Sequence, residues 1–89
     1  MKLVGTIEPF VKLQTVHLYD DNNKEIEYRI ATIRHYEHTI ASFLEDYPGI
    51  TNLYLHGSAT PFSEKIKEKI EMEMLSKYDN KDRIEVEII

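Results

Sequence analysis

The sequence predicts one mixed α/β domain, with five strands and two helices in the order β, β, β, α, β, α, β. Residues 2–31 are rich in Val, Ile, Leu, Thr and Tyr, which favour strands. From Thr32 the apolar residues recur every three or four positions, as in a helix that buries one side. Short apolar runs follow each helical segment, at 52–56 and 84–88. A chain of 89 residues builds one core, so we expect a single domain over residues 1–89.

The first two strands are separated by Pro9. Lys2–Ile7 is a short apolar run, and the second strand extends over Val11–Tyr19. Proline has no backbone donor, so Pro9 marks the bend between these strands. Asp20–Asn23 is the clearest turn, because Asp and Asn side chains bond to nearby backbone and tolerate left-handed conformations. This turn predicts an antiparallel hairpin between the second and third strands.

The third strand is defined by alternation. Ile26, Tyr28 and Ile30 occupy every second position of the run. Such a strand has one buried face and one solvated face. We expect the solvated face to carry the polar residues of the run, which are Glu25, Glu27 and Arg29.

The first helix begins after Thr32, a residue type that caps helix starts. Its buried side is predicted by the apolar residues at helical spacing, which are Ile33, Tyr36, Ile40, Phe43, Leu44 and Tyr47. Pro48 and Gly49 end the helix. The apolar run Asn52–His56 then predicts a strand with neighbours on both sides.

The second helix begins at Thr60 and Pro61, because proline at the first helical position gives up only an unused donor. Its apolar side holds Phe62, Ile66, Ile70 and Met74, and the helix extends to about Tyr78. An exit turn follows at 79–82. The last strand alternates apolar and polar residues, which predicts an edge strand with one wet face: Arg83, Glu85 and Glu87 against Ile84, Val86 and Ile88.

The element order predicts a mixed sheet. Strand–helix–strand connections are right-handed, so the last strands are parallel to their predecessors and both helices lie on one face. The other face is then open, with the polar side chains of the third and last strands on it: Glu25, Glu27, Arg29, Glu85 and Glu87. The alternative is another two-layer α/β sandwich.

The segment Ile50–Phe62 carries a resemblance to a known superfamily. It is similar to the adenosine-contacting segment of actin-like ATPases, where a strand ends in a Gly-Gly-x-Ala-like loop before a helix. The order βββαβαβ also resembles the ribonuclease H-like fold, the unit that is doubled in those ATPases. The resemblance implies a single half-domain of that fold. His56 replaces the first paired glycine, and Met1–Ile7 lacks the acidic residue that metal-dependent members carry on their first strand.

Composition excludes several classes of function. The net charge is −5, from sixteen acidic and eleven dispersed basic residues, so nucleic acid is not a favoured partner. The absence of cysteine excludes disulfides, thiolate nucleophiles and sulfur-based zinc sites. No apolar run approaches the length of a membrane span, and no signal peptide is recognisable at residues 1–6. We therefore expect a small acidic protein of the cytoplasm that binds no membrane.

The loop after the fourth strand is the candidate ligand site. It lies where open α/β sheets bind ligands and leads into a helix amino terminus, which favours anions. A phosphate or carboxylate would contact the residues of this loop: His56, Gly57, Ser58, Ala59 and Thr60. The alternative is a compact structural turn from strand to helix, and we favour it.

Catalytic and metal sites are not indicated. His35 and His38 have a spacing that suits a metal, but both fall on the polar side of the first helix, which favours a solvated face. Glu8 and Asp46 are the acids to test for a two-metal nuclease, although nothing in their spacing predicts convergence. Ser58 lacks the Gly-x-Ser-x-Gly pattern of a nucleophile elbow. We predict no catalytic set, metal or cofactor.

These observations favour a non-enzymatic protein-interaction or regulatory module. Its partner is another protein or a second copy, in a homodimer through the last strand. The candidate interface residues are Met72, Leu75, Tyr78, Val86 and Ile88. The small size and the Lys-, Ile- and Glu-rich composition suggest a phage or mobile-element origin. The alternative function is a nucleotide- or phosphate-binding domain of actin-like or ribonuclease H-like type that uses the loop after the fourth strand.

Overall fold

The predicted mixed sheet is confirmed. A computed structural model describes residues 1–57, 60–74 and 84–89, without the side chains of 73 and 74. Its five strands are β1 (Lys2–Thr6), β2 (Leu13–Tyr19), β3 (Glu25–Thr32), β4 (Asn52–His56) and β5 (Glu85–Ile88). Their order in the sheet is β3-β2-β1-β4-β5. β2 is antiparallel to β1 and β3, whereas β4 is parallel to β1 and β5. β4 is therefore an interior strand, as predicted, and β3 and β5 are the edges.

The helices begin with different local structures. A 3₁₀ turn (Ile33–His35) precedes α1 (Tyr36–Asp46). The prediction that Thr32 caps this helix is wrong, because Thr32 is the last residue of β3 and its side chain makes no capping hydrogen bond. α2 (Pro61–Lys69) has a reciprocal cap between Thr60 and Ser63, and it continues as a π-helical turn (Ile70–Met74). The predicted extension to Tyr78 lies outside the described residues.

One hydrophobic core joins both helices to the same face of the sheet. α1 contributes Tyr36, Ile40, Phe43 and Leu44, and the turn after α2 contributes Ile70. The strands meet these side chains with alternate residues, as their pleat requires. Those strand residues are Leu3, Val16, Leu18, Leu53, Leu55 and Val86. Neither of the helices that the structure describes packs on the opposite face of the sheet.

The closest approach of helix and sheet is between Tyr36 and Gly5. A β-carbon on Gly5 would overlap the Tyr36 hydroxyl, so only glycine fits at this position of β1. The hydroxyl is buried and has no hydrogen-bond partner among the described residues. Burial raises the pKa of Tyr36 well above its ordinary value, so the phenol is neutral. The ring thus supplies apolar contact area, while its hydroxyl only fills the space above Gly5.

Candidate protein-interaction surface

Charged side chains of β3 face α1. The Arg29 guanidinium donates to Ser42 Oγ at 2.7 Å and to Asp46 Oδ2 at 2.9 Å, and it also bonds to Glu27. It lies 4.1 Å above the centroid of the Phe43 ring. Burial lowers the pKa of Arg29, but the hydrogen bonds to Glu27 and Asp46 outweigh this and raise it overall. Arg29 therefore connects the edge strand to the carboxyl-terminal half of α1.

The expected placement of Glu27 and Arg29 on the open face is wrong. Glu27 also accepts a hydrogen bond from Tyr47 at 3.1 Å, which raises the pKa of that phenol. Because polar partners lie on the helix side, β3 turns its charged residues inward and its apolar residues outward. A bulge between β2 and β3 beside Tyr19 returns Glu25 to the open face, where it contacts His17. On β5 the expectation is confirmed, since Glu85 and Glu87 are exposed and Val86 is buried.

The open face consequently carries an apolar patch, which consists of Leu13, Tyr28 and Ile30. Their exposed fractions are 55%, 55% and 57%. Ile30 lies opposite Thr15 in the β2–β3 register, and Leu13 is a diagonal neighbour on the same face. Contiguous exposed apolar residues on small domains mark sites of protein interaction.

His17 lies beside the apolar patch, opposite Tyr28 in the β2–β3 register. Its ring stacks on Tyr28 with 5.6 Å between centroids, and on Tyr19 with 6.4 Å. Its two nitrogens contact Glu25 Oε1 and, at 3.0 Å, Thr15 Oγ1. The His17 ring, held by these two contacts, packs against the Tyr28 ring from the side of β2.

A cleft of about 650 Å³ opens beyond the carboxyl end of β1. Its lining includes two aromatic rings, Phe10 and Phe62, and three basic side chains, Lys12, Arg34 and His35. Phe10 is 99% exposed. No acidic residue lines the cleft in the described part of the chain. It is thus a locally basic, aromatic site on an acidic protein.

Gln14 clamps the β1–β2 loop, whose residues 9–12 line one side of the cleft. Its Oε1 accepts from Thr6 Oγ1 at 2.9 Å and from the Glu8 amide at 3.1 Å. Its Nε2 donates to the carbonyls of Glu8 at 2.9 Å and Val11 at 2.8 Å. All four hydrogen-bonding positions of the buried amide are used. The loop that presents Phe10 is therefore anchored from below.

The predicted ligand loop lies at the same end of the sheet. His56 is exposed, Gly57 donates to the Ile89 carbonyl at 3.1 Å, and Ser58 and Ala59 lie outside the described residues. A β-carbon on Gly57 would lie 2.5 Å from the Ile7 carbonyl oxygen, which gives this glycine a packing role. At the start of α2, the amides of Thr60, Ser63 and Glu64 are already bonded within the capping turn. These three amides and that of Gly57 are thus engaged within the protein.

Three of the five predicted interface residues lie in the described part of the chain. Met72 is 68% exposed on the π-helical turn, whereas Val86 belongs to the core and Ile88 packs against it. Leu75 and Tyr78 lie outside the described residues. The sequence reasoning missed the apolar patch, the Gln14 clamp and the cleft. The signals were Phe10 and Val11 in a loop, and Gln14 at a β2 position that alternates with the apolar Val16 and Leu18.

His35 and His38 are exposed, with ring centroids 6.1 Å apart. Over residues 1–57, 60–74 and 84–89, no three His, Asp or Glu side chains are grouped so as to hold a metal ion. No helix in these ranges is long and apolar enough to span a membrane. Comparisons with known proteins found no match to a protein-family model, to a curated protein or to a solved structure.

Proposed function

We propose that this protein is a non-enzymatic interaction module that binds a protein partner through the open face of its sheet. The observation that carries the proposal is the exposure of Leu13, Tyr28 and Ile30 on the face opposite the helices. Burying these side chains in an interface removes their remaining apolar area from water. Because each is only about half exposed, the gain is about half of the roughly 1.5–3 kcal/mol that complete burial of such a side chain contributes.

The surroundings of the apolar patch also suit an interface. Thr15 and His17 separate it from the middle of the sheet, and Glu25 lies beside His17. Protein interfaces commonly combine an apolar centre with a polar rim of this kind. The ordered Tyr28 ring supplies a rigid anchor that loses little conformational freedom on binding.

The strand order supports a second part of the proposal, that the domain is a single ribonuclease H-like half-domain. In the order β3-β2-β1-β4-β5, a three-stranded meander is extended by two parallel strands. This is the arrangement that the resemblance implies. β1 (Lys2–Thr6) has no acidic residue, so the resemblance supports a shared scaffold and not a metal-dependent activity.

The binding proposal predicts a selective loss of partner. Immobilised wild-type protein should retain a specific protein that is lost, with at least tenfold weaker binding, when Leu13→Ser and Ile30→Ser are combined. Met72→Ser is the matched control, because Met72 is at least as exposed but lies on the helical side. The measurement is quantitative affinity capture with all three proteins, followed by titration with the purified partner. Equal retention by the double variant would contradict the proposal, as would a loss confined to Met72→Ser.

The cleft favours a second candidate function, the binding of a phosphate-bearing aromatic ligand such as a nucleotide. Lys12, Arg34 and His35 would face the phosphate, and Phe10 and Phe62 would stack on the base. This candidate is the nucleotide-binding alternative that the sequence suggested. The binding site now includes the cleft as well as the loop at His56–Thr60.

The cleft predicts a thermal shift with ATP. At 100 times the dissociation constant, binding adds about 2.7 kcal/mol to stability, which raises the midpoint by roughly 10 °C or more in a domain of this size. Inorganic phosphate and adenosine serve as partial ligands. Lys12→Gln combined with Arg34→Gln should abolish the shift. Lys24→Gln, at the distant β2–β3 turn, should preserve it. No shift with millimolar ATP would reject this candidate.

A further inference from the structure

The outer edge of β3 is a long, regular strand edge. β3 has eight residues and, among the strands that the structure describes, β2 is its one neighbour. Its free edge presents backbone donors and acceptors to a further strand. Glu25–Thr32 has no proline, no lysine and no short length to protect its edge. Its protections are the bulge and the inward-pointing charges of Glu27 and Arg29, which exclude a strand that lacks matching charges. The bulge near Ile26 bounds the regular segment on one side.

The residues of this edge are self-complementary. When two copies of a strand pair antiparallel about a two-fold axis, one residue faces its own copy, and its neighbours face each other in exchanged order. With Tyr28 at the centre, Glu27 faces Arg29 of the second copy. Ile26 is the extra residue of the bulge and does not set the register. Each strand therefore meets opposite charge on the helix side, and the two Tyr28 rings lie side by side on the open face.

Neighbouring registers lack this match. With Glu27 at the centre, two Glu27 side chains face each other, and with Arg29 at the centre, two Arg29 side chains do so. Like charges directly opposite one another destabilise a strand pair. The charge pattern thus favours the register centred on Tyr28. The Glu27–Arg29 pairs that decide this register lie in the regular part of β3, beyond the bulge.

The strand at the other edge of the sheet, β5, is poorly suited to pairing with its own copy. In β5, pairing centred on Val86 places Glu85 opposite Glu87 of the second copy, and pairing centred on Glu87 places two Glu87 side chains together. Glu85 and Glu87 are both exposed. A homodimer through the last strand, as expected from the sequence, meets a repulsion that the β3 edge avoids.

We propose that a second copy of this chain docks on the β3 edge, antiparallel and centred on Tyr28, so that two sheets form one continuous ten-stranded sheet. This inference can be tested apart from the partner proposed for the open face, because the backbone edge and the Glu27–Arg29 pairs on the helix side set the register. Tyr28 belongs to both surfaces. Pairing brings the two apolar patches together on the opposite side of the joint sheet.

Charge reversal tests the register. Glu27→Arg gives a protein with arginine at 27 and 29, and Arg29→Glu gives one with glutamate at both. Each variant alone should dissociate at least tenfold more readily than wild type, and an equimolar mixture should recover a heterodimer. Sedimentation velocity over a concentration series measures the dissociation, and native mass spectrometry identifies the mixed species. Circular dichroism checks that each variant is folded, since both residues also contact α1.

A disulfide test avoids the charged residues. The chain has no cysteine, so Tyr28→Cys introduces a single thiol. Directly opposed strand residues have Cα atoms roughly 4.5–5.5 Å apart, which a disulfide spans. Under mild oxidation Tyr28→Cys should form a covalent dimer several times faster than the exposed control Glu87→Cys.

Three results would overturn the proposal. The first is a wild-type monomer at millimolar concentration, and the second is cross-linking of Glu87→Cys that is as fast as that of Tyr28→Cys. The third is a dimer that survives both charge reversals but is lost when Leu13→Ser and Ile30→Ser are combined, which would place the second copy on the open face. The face-binding proposal fails separately, through its own capture experiment.

Discussion

Replacing Gly5 with alanine is expected to destabilise the fold by about 2–4 kcal/mol, because the new methyl group would overlap the Tyr36 hydroxyl. Gly5 lies in β1, between β2 and β4, and Tyr36 is fully buried at the start of α1. Neither element can move without disturbing the core. Urea unfolding of wild type and variant, with equal slopes, measures the loss.

Tyr36→Phe separates the overlap from a general loss of packing. It removes a buried hydroxyl that has no partner among the described residues, so alone it should be neutral or slightly stabilising. Combined with Gly5→Ala it should recover at least about 1 kcal/mol, although the ring carbon 3.2 Å from the new methyl stays close. Gly49→Ala is the control, since its nearest neighbour is the flexible end of Met1 at 3.0 Å. A Gly5→Ala cost no larger than that of Gly49→Ala would contradict the described packing.

Gln14→Leu is expected to cost about 3 kcal/mol. Leucine fills a similar volume but leaves the Glu8 amide and the carbonyls of Glu8 and Val11 without their partner. Each buried polar group left without a hydrogen bond costs roughly 1–3 kcal/mol. Water has partial access to the loop, so we expect the total for these three groups to lie near the lower end of their summed range. Thermal and urea unfolding measure the change.

The same substitution should release the β1–β2 loop. Amide hydrogen exchange at Glu8 and proteolysis near Phe10 should both accelerate in Gln14→Leu, beyond what the global loss of stability explains. Leu13→Ala, at the neighbouring exposed position, should leave both rates close to wild type. Unchanged exchange at Glu8 would show that the loop does not depend on the clamp.

The element order and the mixed sheet were predictable because the apolar residues of each segment recur with one clear spacing, helical or alternating. Ile40, Phe43 and Leu44 recur at helical spacing and are buried. The turn at Asp20–Asn23 was predictable for a local reason: the Asp20 carboxylate accepts from the amides of Asn22 and Lys24, and Asn23 adopts a positive φ of 63°. These features depend on residues close together in the chain.

The candidate sites depend on distant residues, which the sequence does not pair. A two-residue period identifies two faces of β3 but not which of them meets the helix. Ser42 and Asp46 decide this by binding Arg29. In the sequence, Gln14 is typical of a solvated strand residue. Its role is visible only when the loop that it binds is placed beside it. The cleft likewise combines Phe10 with Arg34 and Phe62, which no local pattern connects.

The position of β1 also bears on how the chain assembles during synthesis. β1 is made before the other four described strands, yet it pairs with β2 on one side and with β4 on the other. The meander of β1, β2 and β3 can therefore form early and must wait roughly twenty residues of synthesis before Asn52–His56 covers its second side. Until then Leu3 lacks its β4 partner Leu53, so a nascent chain that stops short of β4 should be the species most prone to aggregation and chaperone binding.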